Sequence, residues 1–188
     1  DLERFMSSRE GPNVRQSFDA VWAGWETEKW RLYALISQPV QYRSLSHFDD
    51  TSTSDLRLSG ARIERQLTAH TQLTGYYALY QRSTGRYLDA SGEEDRQIVD
   101  VRFVGNDHAL DWDLETMGQF GKVGGVDASA WAMGARVGYT LVQTRWSPRI
   151  GLQVDAASGD RRAGDGKLGT VDPLFPNGLY FSLGGHTG

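Results

Sequence analysis

In the stretch ALDWDLETMGQFG, residues 109–121, Leu110, Trp112 and Leu114 alternate with Asp111, Asp113 and Glu115, and Gln119 continues the polar register. Successive side chains of a β-strand point to opposite faces. As a strand, this stretch is oily on one side and lined by carboxylates on the other. The same period of two recurs along the chain. Val21, Ala23 and Trp25 share a face against Ala20, Trp22 and Gly24, and Trp30, Leu32, Ala34 and Ile36 oppose Arg31, Tyr33, Leu35 and Ser37. Leu56 and Leu58 flank Arg57, and Leu73, Tyr77 and Leu79 oppose Thr74, Tyr76 and Tyr80. Val99, Val101 and Phe103 oppose Asp100 and Arg102. Trp131, Met133, Val137, Tyr139 and Leu141 oppose Arg136 and Thr140, and Ile150, Leu152 and Val154 oppose Arg149, Gln153 and Asp155. That makes eight segments, with a ninth beginning near Leu179. Residues 60–70, GARIERQLTAH, also fit an amphipathic helix, but the strands on either side call for a short partner strand there.

The connections alternate in length. TEK, TAHT, GNDH and QTRWS are short. QPVQYRSLSHFDDTSTS, QRSTGRYLDASGEED and residues 158–178 are long, and GKVGGVD is intermediate. Consecutive antiparallel strands place alternate loops at opposite ends, so one end carries tight turns and the other elaborate loops.

The 188 residues suffice for one domain. A net charge of −4 with both signs interspersed gives no reason to expect nucleic-acid binding. The absence of cysteine removes disulfides, thiolate metal sites and a cysteine nucleophile. No apolar run is long enough for a membrane-spanning helix and no signal peptide is visible. The opening DLERFM reads as the tail of a strand and the closing YFSLGGHTG as the start of another, so the expectation is one barrel domain over residues 1–188, incomplete at both ends.

Alternation alone fits a soluble β-sandwich or soluble binding barrel equally well, with the charges as its solvated surface. Three features favour a membrane barrel. The segments run about nine to twelve residues, the length that crosses a bilayer at a tilt. Trp25, Trp30, Trp131, Tyr139 and Trp146 lie near segment ends, as in interfacial girdles. Loop lengths segregate to two ends. The predicted fold is an all-β, antiparallel up-and-down transmembrane barrel, in which Leu110, Trp112 and Leu114 face lipid and Asp111, Asp113 and Glu115 face a wet interior.

REGPNVRQSFDAV, WRLYAL with QPV and FDD behind it, DWDLETMGQFG, ARVGYTL, PRIGLQVDAASGD and KLGTVDPLFPNGLYF occur in this order. Together they resemble the alginate export family of outer-membrane porins. The resemblance implies a monomeric barrel of about eighteen strands, of which eight or nine lie here. It also implies a lumen lined by arginines and carboxylates, and it supports a porin of this family more firmly than it supports alginate as the solute.

By alternation Arg31, Arg57, Arg102, Arg136 and Arg149 fall on the polar face with Asp100, Asp111, Asp113, Glu115 and Asp155. One reading is a cationic path for anionic saccharides or small anions. The other is cross-strand pairing that holds the wall together. Because the arginines come from five segments and the carboxylates concentrate at 111–115, the expected field is basic over much of the wall, with one acidic stripe. Asp160, Asp165 and Asp172 are candidate calcium ligands but lack the spacing and terminal Glu of an EF-hand. GDGKLG lacks the spacing of a phosphate-binding loop, so no cofactor is expected. The apolar tip at Leu174 and Phe175 suggests that residues 158–178 fold against the barrel mouth or into the lumen. His47, His70, His108 and His186 show no metal-ligand spacing, and nothing places a Ser or Asp beside one of them, so no enzyme is expected. The expected partners are the lipid bilayer with lipopolysaccharide and an anionic solute, in the bacterial outer membrane.

Overall fold

The computed structural model describes residues 17–41, 51–52, 54–160, 162 and 164–175. They form one large sheet and no helix. The long strands are β1 (Phe18–Glu26), β2 (Trp30–Gln41), β4 (Leu56–Thr68), β5 (Thr71–Arg86), β6 (Ser91–Asp107), β7 (Leu110–Val123), β8 (Val126–Thr140) and β9 (Arg149–Ala157). Each pairs antiparallel with the next. Two short strands complete it: β3 (Thr51–Ser52) beside β2 and β10 (Lys167–Leu168), parallel to β8. Residues 60–68 are strand, which removes the helical reading. Among the described residues β1 pairs only with β2 and β9 only with β8, so the sheet remains open, as a section of a larger barrel does. The ninth segment near Leu179 lies outside the described residues.

One face is apolar and exposed. Val21, Ile36, Ile63, Leu73, Tyr77, Val99, Val101, Leu110, Leu114, Met133, Val137, Ile150 and Leu152 all lie on it in the open. Trp112 belongs to this face and stacks on Phe103 at 5.7 Å. A sandwich would bury these side chains between two sheets, whereas here a single sheet leaves them bare. Along β8 the band runs from Trp131 to Tyr139, which at about 3.3 Å per residue and a tilt of about 40° rises about 20 Å, most of the apolar height of a membrane barrel.

Strands β5 to β8 continue past this band. β6 has 17 residues and β5 has 16. Beyond the band their outward residues are polar: Gln81 and Ser83 on β5, Glu93 and Asp95 on β6, Lys122 on β7, Asp127 on β8. The stretch QRSTGRYLDASGEED is therefore strand closed by a turn at 87–90, not a long loop. GKVGGVD is a hairpin turning on Gly124 and Gly125, whose φ angles of 56° and 86° are the two positive values a tight I′ turn demands. A Cβ on Gly124 would also collide with the Ser91 carbonyl oxygen. The strands form a rigid collar where loops were expected.

Candidate functional site: the inner wall and its strap

The opposite face carries the charges, and strand pairing brings them into groups. Glu64 on β4, 5% exposed, pairs with Arg62 and with Arg31 of β2 at 3.4 Å, and accepts a hydrogen bond from Gln72 Nε2 at 2.8 Å. Asp113 on β7 accepts two bonds from Arg102 of β6, at 2.8 and 3.0 Å, and one from Arg136 of β8 at 2.9 Å. Asp113 and Arg136 are register partners, so pairing delivers that contact. Arg149 on β9 reaches two strands away to grip Asp111 at 2.9 and 2.6 Å. It can do so because β8 presents Gly138 in between, where a Cβ would run into the Arg149 guanidinium. Charge-assisted bonds of this forked kind are the stronger ones in proteins.

A second construction lies toward the collar. After β9, Lys167 and Leu168 run beside Asp127 and Ala128 of β8, and the chain then crosses the inner face. Ser158 ties the bend, its Oγ accepting from Trp131 N–H and donating to the Gly169 carbonyl, both at 2.8 Å. Gln119 of β7 binds the backbone of Asp172 from both sides: its Nε2 donates to the carbonyl at 2.7 Å and its Oε1 accepts the N–H at 2.9 Å. Arg96 of β6 donates to Gln119 Oε1 at 2.9 Å and to the Thr170 carbonyl at 3.1 Å. Glu94 holds Arg96 at 2.6 Å and Arg82 at 2.5 and 2.9 Å, and Arg82 also meets the Asp172 carboxylate at 3.3 Å. The Tyr87 phenol oxygen lies 2.6 Å from Glu94 Oε1 and 2.9 Å from Asp172 Oδ2, so a single proton serves two carboxylates. Burial, then the Asp172 charge and the Glu94 bond, hold that phenol protonated well above the usual tyrosine range.

The turn that follows suits this position. Asp172 Oδ1 accepts the Leu174 N–H at 2.8 Å, Pro173 fixes the preceding φ, and Leu174 takes a φ of 55°. It delivers Leu174 and Phe175 into a cluster with Leu58, Tyr80, Ile98 and Met117. Phe175 packs edge-on to Tyr80 at 6.5 Å and to Phe18 of β1 at 5.2 Å. Burying two such side chains contributes about 1.5–3 kcal/mol each.

Arg31, Arg102, Arg136, Arg149, Asp100, Asp111, Asp113, Glu115 and Asp155 all lie on this inner face. Asp100 and Glu115 are nearly fully buried there. Arg57 is a correction. It sits in the outward row with Ser59, Leu79 and Gln81, while Leu58, 1% exposed, points in. The strap supplies apolar cover for Leu58 from over a hundred residues along the chain, and local alternation cannot register that. Asp160, Asp165 and Asp172 are not brought together: Asp160 and Asp165 cap local backbone N–H groups and Asp172 faces Arg82 and Tyr87. Among the described residues no cluster of three or more His, Asp or Glu could hold a metal. Sequence reading missed Arg62, Glu64, Arg82, Tyr87, Glu94, Arg96 and Gln119 as a set. The parity that places Asp100 inside also places Ile98, Arg96 and Glu94 inside, and following it past Ile98 would have found the last two.

Asp113→Leu should destabilise the wall by about 2 kcal/mol, because it removes the partly buried carboxylate that Arg102 and Arg136 share. Urea unfolding in detergent measures this. Adding Arg102→Leu should recover part of the loss, and a double variant no more stable than Asp113→Leu would show that the carboxylate is not what holds the group.

No curated protein and no solved structure matches the chain. A family model described as alginate export matches residues 1–188. That match covers the whole chain, and the sheet, the bare apolar band and the charged inner wall of the described residues agree with it: the chain belongs to the alginate export family, a family of transport proteins.

Proposed function

We propose that this chain forms wall of a monomeric outer-membrane channel that passes an acidic polysaccharide or smaller anions outward. In this reading the apolar band meets lipid and the collar stands on the lipopolysaccharide side. The observation that carries it is the guanidinium lining, in a chain of an alginate export family. Arg31 and Arg149 keep 55% and 49% of their side chains exposed on the inner face. An arginine has five N–H donors, so one bound to a wall carboxylate still presents an edge to a passing carboxylate. The wall carboxylates temper this field without removing those edges, and they make the lining mixed rather than broadly basic.

The test is the reversal potential of the pore containing this chain, in a planar bilayer under a salt gradient. Anion preference is expected, and Arg31→Gln together with Arg149→Gln should move the anion-to-cation permeability ratio toward one. A cation-selective pore indifferent to both changes would leave the arginines as wall partners and end the anionic-solute reading.

A further inference from the structure

We infer that residues 169–175 are a fixed strap that sets the calibre of the channel, a sieve built into the wall rather than a gate. This rests on the reading of the chain as channel wall, but not on the charge of the solute. The strap leaves the sheet beside β8 at Leu168 and ends with Phe175 against Phe18 of β1. It therefore crosses the inner face of the described sheet from one side to the other. Any solute moving past this level meets Asp172, Pro173 and the turn at Leu174 instead of the bare inner faces of β5, β6 and β7.

Its fastening is unlike that of a mobile lid. A segment that opens readily has few buried apolar contacts and hydrogen bonds open to solvent. Here Gln119 and Arg96, both at 0% exposure with the strap in place, make three enclosed hydrogen bonds to strap backbone, all of which opening would have to break together. The Gln119 amide copies what a neighbouring β-strand does, donating to one carbonyl and accepting one N–H of the same residue. The strap is in effect held as one more strand of the wall, turned across it. Leu174 and Phe175, each 7% exposed, add an apolar anchor at the far end.

The test is liposome swelling with neutral oligosaccharides of increasing size, using the pore that contains this chain. Neutral solutes separate calibre from charge selectivity, so an absent anion preference would not touch the result. Gln119→Leu keeps the volume and removes both backbone bonds. Asp172→Ala removes the strap's ties to Arg82 and Tyr87 and leaves the wall intact. Both variants should admit oligosaccharides that the parent excludes, with swelling several-fold faster at the first excluded size. The parent should conduct at one steady level, and the variants should conduct more. Strap position is read independently by Leu174→Cys, in a chain that has no cysteine of its own. With a membrane-impermeant maleimide that thiol should be protected in the parent background and labelled when Gln119→Leu is added. Full labelling in the parent background would overturn the fixed strap. An unchanged size limit in a Gln119→Leu pore whose Leu174→Cys thiol labels freely would overturn its role in calibre. Spontaneous closures in the parent that vanish in both variants would make it a gate and overturn the sieve.

Discussion

Glu94→Leu should be the most destabilising single substitution in the described wall, at about 3–5 kcal/mol. The Glu94 side chain is fully buried, and its two oxygens hold Arg96, Arg82 and the Tyr87 phenol. Removing the carboxylate leaves Arg96 charged and enclosed, with Gln119 and a backbone carbonyl as its remaining bonded partners. Arg82 suffers less, because it is partly exposed and keeps Asp172. Glu94→Gln retains the shape and one acceptor, so its cost should be about half as large. The urea midpoint after refolding into detergent or lipid vesicles ranks the two. Adding Arg96→Met to the Glu94→Leu background should return much of the stability, since a buried ion pair replaced by apolar side chains of similar volume is often neutral. If Glu94→Leu unfolds at the parent midpoint, the Glu94 cluster contributes nothing to the fold.

Val101→Arg should be the next most damaging change, and its cost should depend on what surrounds the protein. Val101 sits on the outward face of β6, 44% exposed, between Val99 and Phe103 and away from both ends of the band. In a bilayer an arginine near mid-depth costs about 2–4 kcal/mol, and the cost falls toward zero at the interfaces. The same substitution at Gln97, at the edge of the band between Leu79 and Phe120, should cost under about 1 kcal/mol. Folding yield into phospholipid vesicles, read from heat-modifiable migration on a gel, compares the pair. A soluble protein would tolerate both alike, so equal yields would remove lipid from the account of this face.

These two sites show what the sequence made legible. Val101 is read directly: Val99, Val101 and Phe103 alternate with Asp100 and Arg102, and nothing distant is needed to place them. The same holds for Leu110, Trp112 and Leu114 against Asp113 and Glu115, where a bare apolar face on one side and charge pairing on the other give a period of two. Glu94 was hidden because that signal is a signal of the apolar band and not of the strand. Once β5 and β6 rise past the band, outward residues such as Gln81 and Asp95 become polar, the contrast between faces fades, and a continuous ladder reads as a loop. The strap's inward course was legible in the apolar Leu174 and Phe175. Its fastening was not, because Gln119 binds backbone, which carries no sequence, and its partner lies far along the chain. Arg57 failed for the complementary reason. Leu56 and Leu58 look like a lipid-facing pair, yet they turn inward under cover that the strap brings from elsewhere.

In the proposed orientation the collar bears on survival at a cell surface. Residues 81–97 contain Arg82, Arg86 and Arg96 among small and acidic residues, a composition that a digestive enzyme of tryptic preference would normally cut with ease. Such an enzyme needs a slack, single extended chain to draw into its cleft. Arg86 is matched to Ser91 across a closed hairpin, Arg82 to Glu94, and Arg96 to Gly121 on the next strand. Folded as finished sheet, the most cleavable-looking part of the molecule offers no loose thread to pull.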